Sequence, residues 1–409
     1  AAPVFRVLGV TMMFFAFIML LPLMLAISQD DNVASTAFLV GFCVSGFFGI
    51  LLFLTTKGQP FTIGRRETIA LLTLLAFVTT LLGALPLYLC GHFTNFFDAT
   101  FEALSGITTT GLSLFDDPSL LSDSELLWRA MLQWVGGYAT LVLVIWALPS
   151  LGFGGIFLPG RDAVETISLE PQKSFHHVVR SLFLVYGTLT GMCAISMVST
   201  GMPLFDSICY SMSTLSTGGF LIDKAGPLLF PGVGIKIVLG FFMVVGAVNF
   251  GLHGRFISGN WGVYSRDPEC RVLLVVILIA IVLLLAFTGE TGGSARITNE
   301  LLRLLSVITT TGYPGADITD SSLKYVLLVF ISLAVVGGTT GSTAGGFKLM
   351  RFVLLIREAK RELARLIHPH GVVPIKLGNF AVTPSFMQTL WVFFIGYILC
   401  LAALSVALS

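Results

Sequence analysis

Long apolar stretches separated by short polar connections run through the whole chain. A helix needs about 20 residues to cross the hydrocarbon core of a bilayer. Runs expected to span, the eighth continuing past a glycine-rich break, lie at 7–27, 33–54, 68–90, 126–149, 178–200, 232–253, 272–288, 323–337 and 387–409. The first run is too long for the apolar core of a signal peptide. The pattern therefore predicts an all-α, multi-pass membrane protein.

Three further segments, 97–110, 205–218 and 298–311, are helical in pattern but too short to span. Each ends in a cluster of Thr, Ser and Gly. Short helices that enter and leave a membrane on one side are tolerated only where their non-helical ends line a water-filled cavity. These segments are therefore predicted to be pore helices followed by loops.

The three pore segments belong to a repeating unit of helix, pore helix, filter loop and helix. Phe97, Phe205 and Thr298 each lie fourteen residues before a glycine, and a spanning helix begins ahead of each near 70, 178 and 271. Repetition of this kind determines the fold prediction. The expected division is an N-terminal two-helix hairpin (1–60), pore repeat 1 (61–160), pore repeat 2 (161–262), pore repeat 3 with an intramembrane gate loop (263–370), and the first helix of an incomplete repeat 4 (371–409).

Composition excludes a soluble protein. Charged residues make up 11% of the chain and hydrophobic residues 55%, whereas soluble proteins carry about 25% charged residues. Lipid must therefore cover much of the surface. The net charge of +1 provides no basic patch for a nucleic acid. The six cysteines are scattered singly without metal-ligand spacing, so no cofactor is predicted.

The basic residues predict the orientation of the chain. If the pore loops face outside, most of the 23 Lys and Arg residues lie inside, while Arg129 is among six outside. Basic residues are enriched in cytoplasmic loops, so the N-terminus is predicted to be cytoplasmic. Acidic residues on the outer side either concentrate cations at the mouth or are ordinary solvated charges; they include Asp98, Glu102, Asp116, Asp117, Asp206, Asp223, Asp317 and Asp320.

The Thr/Gly clusters have the chemistry of a cation filter. Backbone carbonyls replace the water around a potassium ion without a trapping full charge, and glycine permits the backbone angles that such a loop needs. A pore helix also presents about half a negative charge at its C-terminus. An ordinary helix C-cap followed by a turn has a similar Thr/Gly sequence, but three clusters at equal spacing favour a filter. Its predicted ion-binding residues are Thr109, Thr110, Gly111, Thr217, Gly218, Gly219, Thr310, Thr311 and Gly312.

A second glycine-rich stretch breaks the eighth apolar run. Each glycine costs a helix about 1 kcal/mol relative to alanine, so the helix should end here. We expect a mobile loop that blocks the pore, with Lys348 as an electrostatic barrier; close helix packing is the alternative. Residues 351–365 are expected to extend this helix into the cytosol. The predicted gate residues are Gly337, Gly338, Thr339, Thr340, Gly341, Ser342, Thr343, Ala344, Gly345, Gly346 and Lys348.

With these motifs the chain resembles the Trk/Ktr/HKT superfamily of cation transporters, and most closely the bacterial Trk-type potassium uptake subunit. The resemblance rests on the three filter motifs, on 337–348 and on the two extra N-terminal helices. It implies potassium as substrate, a homodimer in the bacterial inner membrane, and a cytosolic nucleotide-binding regulatory subunit. Gly111 resembles the potassium-preferring members, whereas serine at this position marks sodium-preferring ones.

The chain departs from that family in its fourth repeat. The family has four repeats around the pore, and here the fourth ends at Ser409 after one helix. The spacing of the other repeats places its filter glycine near position 428. We therefore expect an incompletely represented chain.

Three other functions are alternatives to potassium transport. A sodium-selective or weakly selective transporter remains an alternative. An intramembrane enzyme needs a nucleophile with a nearby base at membrane depth. The six histidines fall near helix ends or in loops, so their positions argue against an enzyme. A carrier with inverted repeats conflicts with the parallel direction of these units. Cation transport without enzymatic activity is the prediction.

Overall fold

The computed structural model describes residues 2–59, 64–115, 117–144, 171–223, 226, 230, 232–288, 294–313, 323–368, 376–377, 380–382 and 384–408. Three acidic residues of the predicted outer side lie outside this part of the chain: Asp116, Asp317 and Asp320.

The helices follow the predicted order. The N-terminal helices are α1 (Ala2–Ser28) and α2 (Asn32–Thr55). The next group is α3 (Arg65–Leu89), α4 (Phe96–Ile107), a 3-10 turn (Pro118–Leu120) and α5 (Asp123–Val142). The following group is α6 (Pro171–Ser199), α7 (Leu204–Leu215), α8 (Val233–Ala247), α9 (Phe250–Ile257) and α10 (Val263–Arg266).

The third group is α11 (Pro268–Thr288), α12 (Ser294–Ile308), α13 (Leu323–Val336) and α14 (Leu349–Ile367). A small antiparallel pair, β1 (Lys376–Leu377) and β2 (Phe380–Ala381), follows, with Lys376 opposite Ala381. The last helix is α15 (Pro384–Leu408).

Within the described residues, six helices are long and apolar enough to cross a membrane, namely α1, α2, α3, α6, α11 and α15. The pair α8 and α9 would add a seventh as one broken span. Large apolar side chains on these helices are exposed, among them Phe17, Phe47 and Val392. Such a surface is stable in lipid rather than in water.

The predicted continuous span 232–253 is wrong, because the helix breaks at Val248 and Asn249. α8 and α9 meet there at 102°. Val248 is extended, and the Asn249 side chain caps α9 by accepting a hydrogen bond from the Gly251 N–H at 2.8 Å. The break leaves the last carbonyls of α8 without partners inside their own helix.

The pore helices α4, α7 and α12 each stop three residues before the predicted end. The cause is the same in each case, since the chain turns into the left-handed region two residues after the helix, at Thr109, Thr217 and Thr310. The predicted pore-helix segments are otherwise in place.

Buried aromatic residues join the N-terminal helices to α5. Trp128 of α5 is fully buried, lies edge-on to Phe15 and Phe38, and donates a hydrogen bond to the Gly83 carbonyl at 3.0 Å. The N-terminal pair α1 and α2 therefore packs directly on the first group. The boundaries of the expected repeats and hairpin remain a prediction.

Candidate filter and pore loop

The three pore helices end in the same hydrogen-bonded turn. In the first, the Thr109 N–H donates to the Gly106 carbonyl and the Thr110 N–H to the Ser105 carbonyl, both at 2.9 Å. This pair of bonds is the Schellman motif of helix C-termini. It recurs from Thr217 to Thr214, Gly218 to Ser213, Thr310 to Val307 and Thr311 to Ser306, at 2.8–3.1 Å.

Threonine occupies the left-handed position of all three motifs, where glycine is usual. The φ angles of Thr109, Thr217 and Thr310 are 53°, 52° and 54°. A left-handed conformation costs an L-residue about 1–2 kcal/mol, and a β-branched side chain rarely adopts it. Backbone strain of this kind concentrates at functional sites. Its recurrence in three places marks these loops as more than ordinary helix ends.

The loops, here called the first, second and third filter segments (108–112, 216–220 and 309–313), are packed against one another in chain order. Gly111 has a φ of 77°, and a Cβ atom added to it would lie 2.0 Å from the Gly218 carbonyl oxygen. A Cβ atom on Gly219 would lie 2.1 Å from the Thr311 carbonyl oxygen. Only glycine permits these approaches. The structure thus brings the predicted filter residues together.

A serine lies six residues before each filter glycine, and the sequence reasoning missed it. The Ser306 Oγ accepts a hydrogen bond from the Tyr313 N–H at 2.8 Å, and the Ser213 Oγ donates to the Phe220 carbonyl at 3.3 Å. Ser105 is the equivalent residue in α4. Alignment of the three repeats on their glycines would have identified this position.

Neighbouring filter segments are also connected by side chains. The Tyr313 and Thr214 hydroxyls are 2.9 Å apart, which joins the third segment to the pore helix of the second. The Gln133 Oε1 of α5 accepts a hydrogen bond from the Phe220 N–H at 3.3 Å. The second segment is fully buried between its neighbours.

Two charged residues are not where the sequence placed them. Arg129 was expected among the outer basic residues and Glu102 among the acids of the mouth. Both are buried, with side chains 1% and 0% exposed, and form an ion pair at 2.7 Å. Glu102 is therefore neither a solvated loop charge nor an exposed cation attractor.

The N-terminal end of pore helix α7, which is too short to span, carries a different acid, Asp206. Burial, together with the Asp223 and Asp123 carboxylates, raises the pKa of Asp206. Clustered carboxylates at this end favour cations over anions.

The glycine-rich loop, residues 337–348, begins where α13 ends, as predicted. Three of its glycines (337, 341 and 346) and Lys348 have positive φ angles. The loop returns to its starting point, since the Phe347 N–H donates to the Val335 carbonyl at 2.9 Å and the Lys348 N–H to the Val336 carbonyl at 3.0 Å. A new helix, α14, follows instead of an extension of α13.

This loop occupies the break between α8 and α9. The Ala247 carbonyl accepts hydrogen bonds from the N–H and the hydroxyl of Thr339, at 3.0 and 3.1 Å. The Phe250 N–H, at the start of α9, donates to the Gly341 carbonyl at 3.0 Å. The backbone groups freed by the helix break are thus satisfied by the loop, as buried polar groups require.

The loop also contacts the end of the second pore helix and the third filter segment. The Thr343 hydroxyl donates to the Leu215 carbonyl, the last residue of α7, and to the Gly246 carbonyl, both at 2.9 Å. The Gly345 N–H donates to the Thr310 hydroxyl at 2.5 Å.

Two charged side chains hold the loop. The Glu269 Oε2 accepts a hydrogen bond from the Thr340 N–H at 2.6 Å. Lys348 was predicted to face cations as a barrier; its ammonium donates to the Ser342 carbonyl at 3.3 Å and to the Ala344 carbonyl. This half-buried charge is therefore bound by the loop itself.

The family model described as "TrkH: Cation transport protein" matches residues 34–409. The chain belongs to the TrkH family of cation transport proteins. It is 34% identical to the Trk system potassium uptake protein TrkH of Salmonella typhimurium, over 96% of this chain and 83% of that protein. The TrkH of Halomonas elongata is 32% identical, over 97% of this chain and 83% of that protein.

A solved TrkH structure has the same fold. The crystal structure of the potassium transporter TrkH from Vibrio parahaemolyticus superimposes with a TM-score of 0.84 and 30% identity, covering 97% of this chain and 83% of the other. The predicted fold of repeated pore-helix units is thus confirmed. TrkH proteins and the relatives above are transporters, which also confirms the prediction that this multi-pass membrane protein is not an enzyme.

Proposed function

We propose that this protein takes up potassium ions across the bacterial inner membrane. The names of its TrkH relatives, as potassium uptake proteins, support the substrate. The geometry that supports it best is the close packing of three equally built backbone segments, in which the Gly218 and Thr311 carbonyl oxygens lie against the filter glycines of the preceding segments, Gly111 and Gly219.

The proposed binding sites are the oxygens of the three filter segments. Carbonyls that stand in for the hydration shell let an ion enter at little net cost and leave again. The ion-binding residues in this proposal are Thr109, Thr110, Gly111, Thr217, Gly218, Gly219, Thr310, Thr311 and Gly312. The C-terminal ends of three pore helices add favourable potential for a cation.

The glycine-rich loop is the proposed gate. It is bonded to the break between α8 and α9 and, through Thr343 and Thr310, to the ends of two pore units. Its withdrawal would require these bonds to break. The loop is continuous with α14, so a cytosolic nucleotide-binding subunit that moves α14 would act on the gate. A homodimer and a cytoplasmic N-terminus complete the proposal.

A sodium-selective transporter is the alternative. The family resemblance argues against it, because sodium-preferring members carry serine at the position of Gly111; in this chain a Cβ there would lie 2.0 Å from the Gly218 oxygen. Purified protein in liposomes, with fluxes of potassium, rubidium and sodium compared under equal gradients, tests the proposal. We expect potassium and rubidium to exceed sodium; equal fluxes would support the alternative, and no flux would overturn the proposal.

A further inference from the structure

A buried ion pair lies behind the first and second filter segments. Glu102 of α4 and Arg129 of α5 are both shielded from solvent, and the Arg129 Nε is 2.8 Å from the Glu102 Oε1. Removing two charges from water costs more than their attraction gains unless further hydrogen bonds satisfy them. The groups that supply those further hydrogen bonds therefore indicate what the pair holds in place.

The remaining hydrogen bonds of the pair reach both segments. The Glu102 carboxylate accepts from the Ser113 hydroxyl at 2.9 Å and from the Leu114 N–H at 3.1 Å, just after the first segment. The Arg129 guanidinium donates to Ser113 at 3.0 Å and to the Leu221 carbonyl, just after the second segment, at 3.1 Å. One guanidinium thus bridges the ends of two segments.

Arg129 also packs on the second segment itself. Its guanidinium carbon lies 4.3 Å from the centre of the Phe220 ring, within the range of a cation–π contact. Phe220 follows Gly219 directly. The charge pair therefore contacts the second segment through the Phe220 ring and the residue that follows the segment through the Leu221 carbonyl.

We propose that Glu102 and Arg129 are positioning residues that set the spacing between the first and second filter segments and thereby the preference for potassium over sodium. The inference rests on the proposed function. The two segments are in direct backbone contact, so a change in their spacing changes where the carbonyls meet an ion. Selectivity between the two ions depends on the size and the field of that carbonyl cage.

The contact between the second and third segments is built differently. It uses the neutral Tyr313–Thr214 hydroxyl pair. At the position of Glu102, nine residues before the filter glycine, the other pore helices carry Tyr210 and Arg303. Among the described residues, a buried ion pair joins only the first segment to the second.

Arg129→Lys is the decisive variant. Lysine keeps a positive charge beside Glu102, but one compact ammonium cannot reproduce the planar fork that reaches Ser113 and Leu221 together. The measurement is the reversal potential of the purified protein in planar bilayers with potassium on one side and sodium on the other. We expect the sodium-to-potassium permeability ratio to rise roughly tenfold or more, a change of about 1.4 kcal/mol in relative ion free energy, while potassium current persists.

The double variant Glu102→Gln with Arg129→Gln guards against a folding failure, because it leaves no unpaired buried charge. Trp128→Phe is the matched control: it changes the adjacent buried residue of α5, which packs on Phe15 and Phe38. We expect the control to lower the melting temperature without changing the permeability ratio.

The outcomes separate the two proposals. Unchanged selectivity in both Arg129→Lys and the double variant, whatever the melting temperature, assigns the pair a structural role and overturns the inference alone. A wild-type protein that conducts no potassium removes the proposed function, and the inference with it. A raised ratio in either variant, absent from Trp128→Phe, supports positioning.

Discussion

The filter segments and the glycine-rich loop are both made of glycine and threonine, yet they are held in opposite ways. Each filter segment is bonded to its own pore helix by N–H groups that reach back three to five residues. The glycine-rich loop is bonded to Glu269, Ala247 and Leu215, which are 71, 92 and 128 residues away from their partners. Composition alone therefore does not determine whether such a loop is fixed or releasable.

The two hydrogen-bonding patterns differ in which bonds must break before each segment can move. A filter segment cannot move without unwinding the end of its helix, which makes it suited to a constant geometry. In the proposed gating the glycine-rich loop would leave as a unit and keep the bonds at its base to Val335 and Val336. The proposed filter and the proposed gate thus have the same composition but different hydrogen-bond partners.

Gly111→Ala should have the largest effect of the substitutions that test this comparison. The added Cβ would lie 2.0 Å from the Gly218 oxygen in a backbone with φ of 77°. We expect rubidium uptake by reconstituted protein to fall by at least about tenfold, because a fixed segment cannot yield. Gly201→Ala is the control, with φ of 96° and open space around the new Cβ. Equal losses in both variants would mean that backbone strain, rather than segment packing, matters.

Thr343→Val should act in the opposite direction. It removes a hydroxyl whose single proton is shared between two carbonyls at 2.9 Å, and a hydrogen bond of this kind contributes about 1 kcal/mol. We expect the loop to leave more readily, so that uptake under closed conditions rises about tenfold. Thr188→Val, which loses a hydroxyl bonded to Leu184 of its own helix, should leave uptake unchanged. A decrease in Thr343→Val would show that the loop supports conduction instead of blocking it.

Glu269→Gln should have a smaller effect of the same sign. The amide oxygen still accepts from the Thr340 N–H, but a charge-assisted hydrogen bond is about twice as strong as a neutral one. We expect basal uptake to rise roughly two- to fivefold, measured beside Thr343→Val in one liposome preparation. The exposed Glu362 of α14 provides the control Glu362→Gln. Basal uptake below wild type would contradict the anchoring role of Glu269.

Sequence reasoning found the parts of this fold that local pattern determines. The three Thr/Gly segments, their pore helices and the end of α13 were predictable, because each depends on residues within a few positions. The break at Val248 and Asn249 was not, since no proline interrupts that apolar run and its carbonyls are satisfied by Thr339, about ninety residues later.

The charge pair escaped prediction for a related reason. Glu102 and Arg129 lie 27 residues apart on different helices, and each alone looks like an ordinary residue near a membrane surface. The filter glycines were predicted from their backbone freedom, while their close approach to neighbouring carbonyls is a property of three segments together. A single sequence therefore does not reveal which residues of different helices and filter segments contact one another.

The 102° bend between α8 and α9 would give the second repeat a part in the proposed gating. α9 lies nearly at right angles to α8, and its first N–H donates to the Gly341 carbonyl in the middle of the glycine-rich loop. Tilting α9 would therefore displace the loop directly. In the proposed gate the loop could be moved from two points, at Gly341 through α9 and at Lys348 through α14.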